Sequence, residues 1–308
     1  MPFTHHLSVI VGALGPIFSM IVLGYILGRS QFPSESFWPA AERLTYFLLF
    51  PALLVRELAL ADLGNYAIAP FAGVIVAVLL TMSLLLFLIR PSLRIDGPAF
   101  SSLYQGSVRF NTYVGLAAAS ALFHQPGATV AALAIAILIP LVNVLCVAVL
   151  IQATGTVGVA RLLGTLAGNP LILACLFGIV LNVSGLGLPL GTGAVLDILA
   201  RAALPLGLLA VGTGLHLHTA LNRPRELLLT TAFKLLVLPI VTFVFSLLVD
   251  LGRLETAILI LFAALPGAPS AYILARQLGG DAKLMAAIVT LETALSMLTL
   301  PMILLFVM

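Results

Sequence analysis

Arg109 and Asn111 stand two residues apart in GSVRFNTYVGLAAAS, a stretch otherwise apolar enough for the interior of a lipid bilayer. A cation and an amide are costly in hydrocarbon, so such residues by default face a partner or a pathway. Their chemistry suits an anion: the guanidinium brings charge and a fork of donors, the amide one more donor site. A second stretch, LFAALPGAPSAYILARQLGG, carries Pro266 and Pro269 with Gly267 between them and Ser270 after them. Each proline removes a backbone donor and clashes with the preceding turn, at about 3 kcal/mol in a helix interior. Two of them flanking a glycine read as a broken helix rather than as simple kinks. The freed carbonyls need protein or water as partners, which puts such a break beside a cavity. On an unbroken helix Arg109 and Asn111 would point about 200° apart. Unwinding over Arg109–Thr112, with Thr112 and Tyr113 completing the set, would let both reach one cavity.

The remaining polar residues in apolar runs each carry two readings. Arg109 either contacts an anionic ligand or holds an acid such as Glu292 in a structural pair. Asn111 caps the helix that starts after it, a role compatible with ligand binding. Glu292, followed at helical spacing by Ser296 and Thr299, forms a polar stripe. That stripe would carry a proton or help hold a sodium ion, or else Glu292 is a fixed partner of Lys234 or Arg109. Lys234 lies nine residues after Arg225, so its stem either snorkels to the surface or works inside. Asn143 reads as an interhelical hydrogen bond or a ligand. Asp197 and Arg201, four apart with the acid first, read as an intrahelical pair, and Glu42 with Arg43 as a balanced pair. His5, His6, His124, His216 and His218 fall near span ends and make no metal site. Cys146 and Cys175 lie inside apolar runs, so neither a disulfide framework nor a metal site is implied.

The elements that must position these groups follow from composition. Of 308 residues, 62% are hydrophobic and 8% charged, and the mean hydropathy is +1.22, which describes a polytopic membrane protein. Runs of roughly 20 apolar residues cross the hydrocarbon, and ten are readable, at 7–29, 37–56, 66–89, 98–122, 127–151, 169–188, 194–215, 225–249, 255–277 and 283–307. The first run is too long for a signal peptide and reads as a retained span. The linker near 152–168 holds only a short amphipathic piece, VARLLGTL. Lys and Arg collect on the cytoplasmic side of short loops. One set of loops holds Arg29, Arg90, Arg94, Arg161, Arg223, Arg225, Arg276 and Lys283, the other only Arg56 and Arg253, so both termini should face away from the cytoplasm. The net charge of +3 reflects this bias and implies no nucleic-acid partner.

Pro16 and Pro170, Gly24 and Gly178, and Pro51 and Pro205 are each 154 positions apart. Five spans per copy is an odd number, so a second copy enters from the opposite face and the repeat is inverted. The expected fold is all-α, with ten transmembrane helices in a five-plus-five inverted repeat. Spans 4 and 9 are discontinuous and cross near the midplane, where such folds hold substrate. The halves are 1–151 and 169–308, joined by a cytoplasmic linker at 152–168. Inside the spans the cations Arg43, Arg109, Arg201 and Lys234 face the acids Glu42, Asp197 and Glu292, leaving the midplane slightly cationic. Half-helix N-termini add positive potential, which suits a carboxylate.

RFNTYVGLA resembles the span-4 signature of auxin efflux carrier family permeases. NPLILACLFGIVLNVSGLGLP, RAALPLGLLAVGTGL, KLLVLP and LPGAPSAYILARQLGGDAKLMAAIVTLETALSMLTLP resemble that family's second half, in order and spacing. The resemblance implies a fold like the bile acid/sodium symporters, with spans 1, 2, 6 and 7 as scaffold and spans 3–5 and 8–10 as a moving transport domain. It also implies carriage of small organic anions, auxin or malonate-like carboxylates, and a homodimer through the scaffold. The long central loop of many plant members is missing, which speaks against loop-based regulation and against auxin itself.

No paired aspartates, HExxH motif or nucleophile elbow is present, so an enzyme is not expected. A channel lacks a ring-forming filter motif. The expectation is an alternating-access carrier in the plasma (inner) membrane, without a cofactor. Its substrate site combines Arg109, Asn111, Thr112, Tyr113, Pro266, Gly267, Pro269 and Ser270. Glu292, Lys234, Ser296 and Asn143 serve coupling or charge balance, and the coupling ion is a proton or sodium if there is one. The alternatives are a sodium-coupled symporter of the bile acid type and a membrane receptor that does not transport.

Overall fold

A chain this apolar satisfies its backbone most cheaply inside helices, and every regular element among the described residues is helical. The computed structural model describes residues 3–34, 36–62, 64, 66–154, 164, 167–188, 191–215 and 223–307. Arg161 with most of the VARLLGTL piece, and the His216–His218 pair, lie outside them.

The order is α1 (Phe3–Arg29), α2 (Phe37–Leu44), α3 (Phe50–Ala59), α4 (Ile68–Leu93), α5 (Gly97–Val108), α6 (Thr112–Thr154), α7 (Pro170–Val183), α8 (Thr192–Thr213), α9 (Pro224–Ala232), α10 (Leu238–Leu248), α11 (Arg253–Ala264), α12 (Pro269–Leu278) and α13 (Ala282–Leu305). Single wide turns, Thr45–Leu49 and Phe233–Val237, join α2 to α3 and α9 to α10. At His124, with φ 54° and ψ −143°, α6 folds into two arms.

Ten spans are expected from the sequence, whereas among the described residues six helical stretches are long and apolar enough to cross a membrane, or seven with the pair α11 and α12, bent by 51°. The difference has a physical cause. One stretch, Gly97–Ala153, runs through both the non-helical residues after Val108 and the turn at His124. The 14 residues of α7 reach only about 21 Å at 1.5 Å per residue.

Small residues set the closest packing. A Cβ on Gly24 of α1 would stand 2.1 Å from the Leu209 carbonyl oxygen, and one on Gly212 of α8 would stand 2.0 Å from that of Ile21. Such backbone contact is how helices associate where lipid removes the hydrophobic drive. Gly178 of α7 lies against α3 in the same way, 3.1 Å from the Val55 oxygen once a Cβ is added. Gly212→Leu should wedge α1 from α8 and cost about 1–3 kcal/mol, read as a fall in the melting temperature of the detergent-purified protein. Away from these seams the helices show apolar side chains outward, Leu80, Leu84 and Leu88 along one face of α4 among them, as lipid contact requires.

Candidate functional site

Two short extended segments meet inside the bundle. The first begins where α5 ends: Arg109 has ψ 151°, and helical geometry resumes only at Thr112. The second separates α11 from α12, with Leu265 at ψ 150° and Ala268 at ψ 143°. They are joined directly, because the Asn111 amide donates to the Pro266 carbonyl at 2.9 Å. Proline cannot donate to a helix, but its carbonyl, freed by the break, finds a partner here. The Asn111 side-chain oxygen accepts from the amides of Tyr113 and Val114, at 3.1 and 3.3 Å, so it caps the new helix. Its Nδ2 is buried and unpartnered.

Beside this junction lies a cavity of about 100 Å³ lined on one side by Arg109, Asn111, Thr112, Tyr113, Asn143, Pro269 and Ser270. Arg109 is only 8% exposed; its Nη2 donates to the Asn143 side-chain oxygen and its Nη1 to Ser270 Oγ at 3.4 Å. The guanidinium is thus aimed by two neutral groups and keeps its charge unpaired. Glu292, expected as its alternative partner, is engaged elsewhere. Tyr113 packs edge-on against Phe50, with ring centroids 4.8 Å apart, which ties this wall to α3.

Pro266 and Gly267 belong to the second segment but do not line the cavity. Gly267 turns toward α13, where its amide donates to Glu292 Oε2 at 2.8 Å. A Cβ there would sit 2.8 Å from that same oxygen, so the glycine lets a carboxylate approach the backbone. Glu292 and Lys234 are both fully buried and lie within electrostatic range of each other. Neither Lys234 Nζ nor Glu292 Oε1 has a hydrogen-bond partner. Lys234, inside the wide turn Phe233–Val237, does not reach the surface. Ser296 is buried too, its hydroxyl donating to the Thr293 carbonyl at 2.9 Å, away from the cavity.

The opposite wall was not singled out by sequence. Glu42, Tyr46 and Asn169 line it, and an outer hollow of about 530 Å³ shares these three with Arg109, Asn143 and Ser270. Asn169 was findable: its oxygen caps α7 at 2.9 Å from the Leu171 amide, and Pro170 follows at the first helical position. The expected Glu42–Arg43 pair is absent. Arg43 lies instead over the Phe47 ring, 5.9 Å from its centroid. Asp197 and Arg201 do pair, at 2.6 Å, and Arg56 joins them by bridging Asp197 and Glu57 at 3.1 and 2.6 Å.

A helical, apolar chain with a polar hollow at a helix interruption is the architecture of transport rather than of surface chemistry. The family model described as membrane transport protein matches residues 157–304. This match is to the family that the auxin efflux carrier resemblance pointed to, and together with the long apolar helices it supports an integral membrane protein. A protein of Rhizobium meliloti named "Putative malonate transporter" is 25% identical over 94% of this chain and 93% of its own length. A protein of Methanothermobacter thermautotrophicus named "Uncharacterized transporter" is 28% identical over 43% of this chain, which spans under half (44%) of that relative.

Proposed function

We propose that this chain belongs as a whole to the membrane transport protein family and is a secondary carrier of small organic anions, working by alternating access. The observation that carries the reading is the unpaired Arg109 guanidinium, held by Asn143 and Ser270 over a cavity at the junction of two helix interruptions. In this reading Arg109 takes the carboxylate, Asn111 Nδ2 and the half-helix starts at Thr112 and Pro269 add donors, and the cavity sets the size. A cavity of this size suits a small carboxylic acid, and one relative is named for malonate.

The proposed architecture is ten spans in a five-plus-five inverted repeat, with α5 and the first arm of α6 as span 4 and α11 with α12 as span 9. Two contacts support it: Gly24 of α1 meets α8 and Gly178 of α7 meets α3. These glycines are 154 positions apart, so the same close contact recurs in both halves. Spans 1, 2, 6 and 7 form the scaffold, which would also bear a homodimer contact, and the others form an elevator-like moving part. The protein is placed in the plasma membrane with both termini outside the cytoplasm. Coupling to an ion is part of the proposal in a restricted form. Lys234 already supplies a cation beside Glu292, which favours a brace over a sodium site, so carboxylate flux should persist when sodium is replaced by potassium.

The test is radiolabelled flux of C3 and C4 carboxylic acids into proteoliposomes. The parent should transport, and Asn111→Ala should lose transport together with about 1 kcal/mol of stability from the missing cap. Parent-like flux in both Asn111→Ala and Arg109→Ala would show that the site lies elsewhere. Ligand binding without flux in the parent would instead support a receptor.

A further inference from the structure

Glu42 lines the same hollow as Arg109, yet among the described residues no cation pairs with it. Arg43 is exposed and stacks on Phe47, Arg56 and Arg201 are engaged with Asp197, and among the described residues Glu42 forms no ion pair. Arg109 forms no ion pair with it either: its two Nη atoms donate to Asn143 and Ser270, and its Nε stays without a partner. The lining of the cavity therefore carries one cation, Arg109 at the α5–α6 junction, and one acid, Glu42 of α2. Tyr46 stands one turn from Glu42 and Asn169 beside it, both offering neutral groups. A simple anion placed against Arg109 would share the cavity with the Glu42 carboxylate, and like charges in a partly enclosed site repel more strongly than in bulk water.

We infer that Glu42 is a specificity-determining residue, and that the substrate is a bipolar small acid: a carboxylate at one end for Arg109, a hydrogen-bond donor at the other for Glu42. The donor is a hydroxyl, an ammonium, or a second carboxyl that keeps its proton. A dicarboxylate would then enter as its monoanion. This rests on the carrier reading above and narrows its substrate class. It also accounts for the position of Glu42, which a structural ion pair would have turned toward Arg43 or Arg56.

The experiment is calorimetric titration of the detergent-purified full chain at neutral pH with four C3 probes: propionate, lactate, alanine and malonate. The parent should bind lactate and alanine roughly tenfold tighter than propionate, the worth of one charge-assisted hydrogen bond, and malonate dianion weakest. Glu42→Gln should bring alanine and propionate within about twofold of each other. Glu42→Lys should invert the order and put malonate first. Melting temperatures of both variants, compared with the parent, separate misfolding from altered preference. If binding of every probe depends on Arg109 but both Glu42 variants keep the parental order, the inference is overturned and the carrier site stands. If the parent binds none of the four, or Arg109→Ala binds them as the parent does, the carrier reading itself fails.

Discussion

Glu292→Leu is expected to cost about 3–5 kcal/mol of stability, and Lys234→Met with Glu292→Leu to recover most of it. Both groups are fully buried and within electrostatic range of each other without a direct ion-pair contact, and removing one of two opposite buried charges leaves the other uncompensated in a low-dielectric interior. Leucine also withdraws the acceptor from the Gly267 amide, which then faces a buried void without a partner. The double variant still lacks that acceptor but no longer strands an ammonium, so it should be the more stable of the two. The measurement is thermal unfolding of the purified protein with helix content as the signal. Equal losses in the single and double variants would show that Lys234 is not the partner, and that the loss lies in the break of α11 and α12.

Arg109→Lys is expected to keep the fold and lose at least a hundredfold in carboxylate transport, nearly as much as Arg109→Ala. The reason is geometric. Two guanidinium nitrogens reach Asn143 and Ser270 from one planar fork, and a lysine ammonium is a point charge that cannot hold both and still present a face to a carboxylate. Parallel flux assays with a melting curve for each variant check this. Transport by Arg109→Lys within a few fold of the parent would mean that charge alone matters and orientation does not.

What was legible in the sequence was whatever violates helical apolarity. Pro266, Gly267 and Pro269 within four residues, and the Arg109–Asn111 pair, mark the extended backbone at Leu265–Ala268 and at Arg109. Whether these are the halves of spans 4 and 9 is part of the proposal. What was not legible was direction. Gly267 was expected at the ligand and serves Glu292 instead, because a glycine in a sequence says that something approaches, not from which side. Glu42 looked balanced by its neighbour, although adjacent helical side chains diverge. Tyr46 and Asn169 reach the hollow only because α2, its wide turn and the start of α7 come together in space. The expected boundary between 98–122 and 127–151 falls at the His124 fold of α6, whereas the span at 169–188 is longer than the 14 residues of α7.

The hydrogen bond from Asn111 to Pro266 has a mechanical meaning. It ties the two irregular stretches of main chain into a single girder, so that under the proposed carrier mechanism a ligand held by one half would be held by the other as well. Neither can slide past its counterpart without exposing a bare amide and a bare carbonyl deep in the protein, and a displacement of the cradle therefore has to be a displacement of the whole.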